Sequence, residues 1–411
     1  MLPLFLSRVL LSLMEGYMLH PGRFLVFVIF LLPIAGFAQS NNERATSVNV
    51  ACEFDGVSFD ANFETGRLNG CRKLGKKNYE LIIKPESLPA HNSPWYAFRV
   101  VSETKQRITV RLTYTEKSHR YHPKTSTDKR QWTPLPKKSV KELKDGKQIR
   151  MRLAVGPEPT YVAGQEILDN NFHTHVENVL AKKPYLTKTE IGKSEQGRPI
   201  YKLESNTSKS SDYLVIVGRQ HPAEVTGALG MMFFVNTLLA DTPVAKQFRE
   251  KINLLIVFNL NPDGVALGHW RKNTNGIDLN RDWGPFKQAE TSAIGKQLAR
   301  FKNTDKERIR FFVDFHSTTR DIFYTLPDDL PGNPAEFINT WLDNIQGRMP
   351  DYKLRRRPGY NPKTYVSKNY IYKHHGAPAV TYEFGDNTSR QLIRAQATVG
   401  AEELMKMLIG S

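Results

Sequence analysis

Cysteine is nearly missing from this chain: 411 residues hold two, Cys52 and Cys71. No C-x-x-C occurs, so a zinc site built from cysteine is excluded. The two thiols either form one disulfide across a short loop or stay reduced and buried. Internal repeats and low-complexity tracts are also absent. Acidic residues are in deficit, 41 against 58 Lys and Arg, which leaves a net charge of +17. With 40% hydrophobic and 24% charged residues, the composition is that of a globular protein, neither fibrous nor disordered.

The apolar run at residues 24–36, FLVFVIFLLPIAG, contains a proline and is too short to span a bilayer comfortably. Arg23 precedes it and GFAQS follows it, the layout of a secretory signal cleaved near Ala38. A start at Met18 would give a signal of ordinary length. The expectation is therefore a signal peptide over 1–38, an exported protein that is periplasmic or secreted, and no stable membrane anchor after cleavage. Cleavage removes two arginines and one glutamate, so the remainder stays near +16, about as basic as before. Acidic peptides or envelope polymers are then better partners than nucleic acid, and the alternative is a solvated basic face.

From about 46 to 155 the chain runs in short alternating segments, VNVACEF, NYELIIKP, WYAFRVVS, RITVRLTYT and QIRMRLAV. This predicts an antiparallel β-sandwich domain over 39–157. From 158 the rhythm changes to a second domain over 158–411. YLVIVG, INLLIVFNLNP, IRFFVDFH and APAVTYEFG read as buried strands, alternating with helices at GQEILDNNFHTHVENVLAKK, EVTGALGMMFFVNTLLAD, AETSAIGKQLARF and SRQLIRAQATVGAEELMKML. Strands that are apolar at every position between helices predict an α/β fold with a mostly parallel sheet covered on both faces.

In such sheets ligands bind beyond the carboxyl ends of the strands. The polar residues there are His221 and Glu224 after YLVIVG, Asn261 and Asp263 after INLLIVFNL, His316 ending IRFFVDF, and Glu383 ending APAVTY. Two histidines and a carboxylate form the ligand set of a catalytic zinc with one position open. A general base is still needed, and Glu383 on a separate strand end suits that role. Several neighbours have plainer readings: Asp263 in NPDG as a turn residue, Asp314 as a structural acceptor, His173 and Glu177 as a surface pair on a helix.

The order H-x-x-E, N-P-D-G, D-x-N-R, a strand-end histidine and a strand-end glutamate resembles the zinc carboxypeptidases of the funnelin type over 158–410. FETGRLNG, YELIIKP and WYAFRV resemble the N-terminal domain of the cytosolic carboxypeptidase branch, whose better-known members remove glutamates from protein tails. The resemblance implies one zinc per chain on His221, Glu224 and His316, with Asp278 orienting His221. It implies Asn280 and Arg281 on the substrate's terminal carboxylate, Arg271 at the oxyanion, and Glu383 as base. Tyr360 and Tyr365 bracket the place of the family's active-site tyrosine.

By the same resemblance Lys368 stands where a basic residue receives an acidic side chain, which would favour a C-terminal Glu or Asp. Lys363 and Arg355 to Arg357 are alternatives for that role. The expected activity is a zinc-dependent carboxypeptidase. Cleavage of γ-glutamyl or diaminopimelate bonds in cell-wall stem peptides, and deacylation of small acyl-amino acids, are the alternative reactions. A non-catalytic envelope-binding protein is disfavoured by the intact Glu383.

Overall fold

The structure is a computed structural model and describes residues 49–410 except 144–145, 206–207, 303–306 and 333. The signal-peptide reading and the Met18 start fall on residues outside that range. Two β-sheets form the first part of the described chain. One has six strands in the order Cys52–Phe54, Val57–Asp60, Ala97–Ser102, Thr160–Ala163, Lys124–Ser126, Thr133–Pro134. The other has five, in the order Gly70–Gly75, Asn78–Ile83, Gln106–Tyr114, Gln148–Val155, Val140–Leu143. In Gln148–Val155 the pleat sends Ile149, Met151, Leu153 and Val155 inward and Arg150 and Arg152 outward, the two-residue period of a half-buried strand. One pair departs from the antiparallel expectation, Asn78–Ile83 running parallel to Gln106–Tyr114. The strand Thr160–Ala163, beyond position 157, completes the first sheet between two of its members. Cys52 and Cys71 form a disulfide.

The second part is built on an eight-stranded sheet in the order Leu186–Lys193, Pro199–Ser205, Asn253–Val257, Asp212–Gly218, Arg308–Thr318, Ala379–Gly385, Ile322–Thr325, Arg356–Pro358. Its centre is parallel: Asp212–Gly218 pairs with Asn253–Val257 and Arg308–Thr318, and the latter with Ala379–Gly385. Leu214, Ile216, Phe311, Val313, Phe315 and Tyr382 point into one core with the helices Val225–Leu238, Pro334–Arg348 and Arg390–Gly410. Tyr213, Val215, Val217 and Phe312 point into another with Ala289–Leu298 and Ser367–His375. Burial on both faces explains why these strands carry no polar alternation.

The sandwich core does not end at the sandwich. Ala223, Val225, Ala228 and Trp270 of the second part belong to the same buried cluster as Phe98, Val110 and Leu112. No single helix among the described residues is long and apolar enough to cross a membrane.

The helix Asn170–Leu180 corrects the reading of His173 and Glu177 as a surface pair: each is only 4% exposed. His173 Nε2 faces the Arg219 guanidinium at 3.1 Å, and burial together with that cation holds the imidazole well below its ordinary pKa. Glu177 lies 3.0 Å from Lys188, yet burial outweighs the lysine and pushes the carboxyl up to about 7. The folded state therefore binds a proton that the unfolded chain releases near pH 4.5, and stability falls as pH rises through that window. Wild-type protein is expected to lose stability relative to Glu177→Gln between about pH 5 and pH 8, by on the order of 1 to 3 kcal/mol. Denaturant titrations of both proteins at the two pH values measure this; a pH-independent difference would contradict it.

Candidate active site

The strand Asp212–Gly218 ends in a turn whose first residue, Arg219, has φ +54°. Its buried guanidinium folds back to donate to the Pro222 carbonyl at 3.0 Å, closing the loop that carries His221. Glu224 stands at the N-terminus of the helix Val225–Leu238. That helix reaches the next strand because of Gly227, where a Cβ would lie 2.4 Å from the His316 carbonyl oxygen. The Gly227 N–H donates to Ser317 Oγ at 2.7 Å, and the Ser317 N–H donates to Glu224 Oε2 at 3.1 Å. Glu224 is thus brought to His316 by backbone contact.

The result is a tight triplet. His221 Nδ1 lies 2.8 Å from Glu224 Oε1, His316 Nδ1 2.8 Å from Glu224 Oε2, and the two Nδ1 atoms are 3.1 Å apart. All three side chains are buried, and their ligand atoms fall within 4.8 Å of one another. Ligands about 2.0 to 2.1 Å from a tetrahedral centre are separated by roughly 3.3 Å, so the spacing suits a small divalent ion.

The outward edges of both imidazoles are also fixed. His221 Nε2 meets Asp278 Oδ1 at 2.9 Å, and His316 Nε2 meets Asp314 Oδ2 at 2.9 Å. A carboxylate behind each ring selects the tautomer that leaves Nδ1 as the ligand atom. Burial alone would lower the His316 pKa, but Asp314 and Glu224 hold it well above the imidazole range. Likewise burial would raise Glu224, and the two histidines hold it well below the carboxylate range. The donor set, two inward Nδ1 atoms and one carboxylate in surplus negative surroundings, fits zinc.

Around this centre stand the other residues singled out in the sequence. Glu383 pairs in register with His316 on the adjacent parallel strand; burial and then the Glu224 charge push its carboxyl up to about 7. Arg271 Nε donates to Asp278 Oδ2 at 2.7 Å, and its Nη1 lies 3.7 Å from Glu224 Oε1. Asn280 is buried, with Nδ2 3.4 Å from His316 Nε2 and Oδ1 accepting from the Ser367 N–H at 2.8 Å. Arg281 is exposed, donating to the Asn280 carbonyl at 2.7 Å and lying 3.9 Å from Asp278.

Lys368, next to Ser367, is buried, and its ammonium donates to the carbonyls of Thr325 and Gly359 and to Asn369 Oδ1. No carboxylate among the described residues lies within ion-pair distance of it. Burial lowers its pKa to about 8. Arg356 is committed to Asp328 at 2.6 Å, and Lys363 is exposed. Tyr365 is 51% exposed and its carbonyl accepts from the Trp283 N–H at 3.0 Å, whereas Tyr360 packs edge-on against Tyr372.

Asp314 is more than the generic acceptor expected from the sequence. It also accepts from Gln220 Nε2 at 2.7 Å and from Ser367 Oγ. The signal was present: residues two apart on a strand share a face, so D-F-H places Asp314 beside His316. Asp263 is likewise buried beyond a turn role, accepting from Ser194 and the Gln196 N–H and pairing with Arg198 at 2.7 Å. Removing the carboxylate behind His316 by Asp314→Asn should weaken zinc binding about 10- to 100-fold. Competition with a chelator, read by metal content, measures it; unchanged affinity would mean Asp314 does not set the His316 tautomer.

A family model described as zinc carboxypeptidase matches residues 172–395, and one described as cytosolic carboxypeptidase N-terminal domain matches 59–163. Cytosolic carboxypeptidase 6 of Mus musculus is 26% identical over 295 residues, covering 64% of this chain and 53% of that protein. The Homo sapiens protein of the same name is 26% identical over 294 residues, 63% and 56%. The chain thus spans about half the length of these relatives. Among solved structures, a metallo-carboxypeptidase from Burkholderia cenocepacia superposes with TM-score 0.73 at 19% identity, over 85% of this chain and 98% of that one. One from Pseudomonas aeruginosa, in complex with (2-guanidinoethylmercapto)succinic acid, gives 0.69 at 18%, over 85% and 99%. The expectation of export is corrected by the Mus musculus and Homo sapiens relatives, which are named cytosolic carboxypeptidases. With its fold matching those structures and the family model covering more than half its length, the chain belongs to the zinc carboxypeptidase family.

Proposed function

We propose that this chain removes the C-terminal residue of peptides, with one zinc held by His221, Glu224 and His316 and Glu383 as general base. The convergence of two Nδ1 atoms on the Glu224 carboxylate, with Glu383 in register beside His316, is the observation that carries the reading. When bound, zinc supplies a Lewis acid that polarises a carbonyl and acidifies water.

The side chains do the rest. Glu383 takes a proton from the attacking water and returns it to the leaving amine. The charges of His316, His221 and Arg271 oppose the burial and the Glu224 charge that raise its pKa. Arg271, on the Glu224 side of the site, faces the developing oxyanion. Asn280 and Arg281 hold the substrate's terminal carboxylate. The guanidinium of Arg281 donates to the Asn280 carbonyl yet stays exposed, so its fork can take a carboxylate, while the Asn280 amide, fixed by Ser367, gives that clamp a rigid edge.

Specificity follows from Lys368. A buried ammonium whose neighbours are all neutral carbonyls attracts an anion strongly, because the surroundings screen it little. Its three protons already have acceptors, so a substrate carboxylate gains through charge or by replacing one carbonyl. We assign it a preference for C-terminal Glu or Asp.

A peptide library carrying each amino acid at the C-terminus, read by mass spectrometry after incubation with zinc-loaded protein, tests the whole reading. Release of single C-terminal residues, acidic ones favoured, is expected from wild type. Chelation and Glu383→Gln should each lower turnover by at least about 100-fold, and Lys368→Glu should abolish or invert the acidic preference. Release of amino acids from acyl-amino acids but not from peptides would favour the deacylase instead, and an unchanged profile in Lys368→Glu would remove the pocket assignment.

A further inference from the structure

The sandwich half contributes a carboxylate that the chemistry above leaves unused. Glu86, 8% exposed, follows the strand Asn78–Ile83. Its Oε2 accepts from the Trp270 N–H at 2.8 Å, and its Oε1 from the Arg271 N–H at 3.0 Å and the Lys272 N–H at 2.8 Å. Three successive N–H groups turned toward one carboxylate form a concave anion-binding nest. Burial would raise the Glu86 pKa, but the His269 ring and the Lys272 and Trp270 N–H groups hold it below the usual range.

Neighbouring contacts grip the same segment. Buried Arg67 holds the Lys84 carbonyl with two N–H groups, and its Nη1 lies 3.5 Å from the Leu267 carbonyl oxygen. The Trp270 indole donates to the Trp95 carbonyl at 3.0 Å. Gly268, at φ +59°, passes so close that a Cβ would lie 2.6 Å from the Thr65 carbonyl oxygen. The backbone that launches Arg271 is therefore set by the sandwich, while the Arg271 guanidinium is set by Asp278.

We propose that Glu86 is a positioning residue for the reaction: by fixing the backbone at 270–272 it holds the Arg271 guanidinium beside Glu224 and Asp278, aimed at the oxyanion. This rests on the reading of Arg271 as the group that faces the scissile carbonyl. A carboxylate that only fastened the two halves together would act on stability alone. Glu64 does such fastening, accepting from the Asn170 N–H at 3.0 Å.

The test measures kcat and KM of zinc-loaded protein on an N-blocked peptide ending in the residue the library selects. Glu86→Gln, Arg271→Ala, the double variant and Glu64→Gln are compared, with zinc content and Tm recorded for each. Glu86→Gln is expected to lose about 10- to 100-fold in kcat, less than deleting an oxyanion donor outright, with KM within about twofold. In the Arg271→Ala background the same change should cost no further kcat, and Glu64→Gln should keep wild-type kcat. Wild-type kcat in Glu86→Gln beside an impaired Arg271→Ala would overturn the positioning role alone. An equal fold-loss in both backgrounds would also overturn it. Wild-type kcat in Arg271→Ala would take down the underlying reading and the proposal with it. Should Glu86→Gln not fold, Glu86→Asp, which keeps the charge but shortens the reach, carries the same comparison.

Discussion

The site is governed by an excess of buried negative charge. Glu224, Asp278, Asp314 and Glu383 crowd around two imidazoles, with the Arg271 guanidinium among them and Arg281 at their edge. Carboxylates withdrawn from water are tolerated only when paired or bound to a cation. The opposed influences at the centre express this: Asp314 and Glu224 hold the His316 pKa above the imidazole range, while burial and the Glu224 charge push that of Glu383 up. His221, Glu224 and His316 would hold a divalent ion there, whose charge would offset the surplus. The reactivity assigned to the site is the consequence of that one electrostatic demand.

Meeting the demand requires rigid delivery, and the fold provides it from two directions. The parallel strands bring His316 and Glu383 side by side in register, and the helix opening at Glu224 is drawn onto them through Gly227. From the other side the sandwich holds the 270–272 segment through Glu86, and Arg120 pairs with Asp386, three residues past Glu383, with Nε to Oδ2 at 2.7 Å. His91 also belongs to this side: burial first, then Arg271 and His221, lower its pKa to about 4. A shared apolar core beneath these contacts makes the two halves one packing problem.

Much of this was legible in the sequence, for physical reasons that also mark where legibility ends. Strands buried on both faces announce themselves as unbroken apolar runs, and polar residues just beyond them are conspicuous, so His221, Glu224, His316 and Glu383 could be gathered without coordinates. The hairpin Leu186–Lys193 with Pro199–Ser205 and the helix Pro334–Arg348 went unread, since their half-exposed patterns mix polar and apolar positions. His173 and Glu177 read as a surface pair because their helix opens the second domain far from the strand ends; only the tertiary fold sets Arg219 and Lys188 against them. Glu86 was out of reach for a different reason: its partners lie 184 to 186 positions away, and no local pattern encodes a contact of that range.

Every role proposed for the site requires His221, His316 and Glu224 to hold one zinc through the inward Nδ1 atoms. Anomalous diffraction from zinc-loaded crystals, recorded above and below the zinc edge, tests it most directly. One peak per chain is expected, within about 2.0 to 2.2 Å of both Nδ1 atoms and of a Glu224 oxygen. A peak elsewhere in the chain, or ligation through the Nε2 edges that face Asp278 and Asp314, would contradict it.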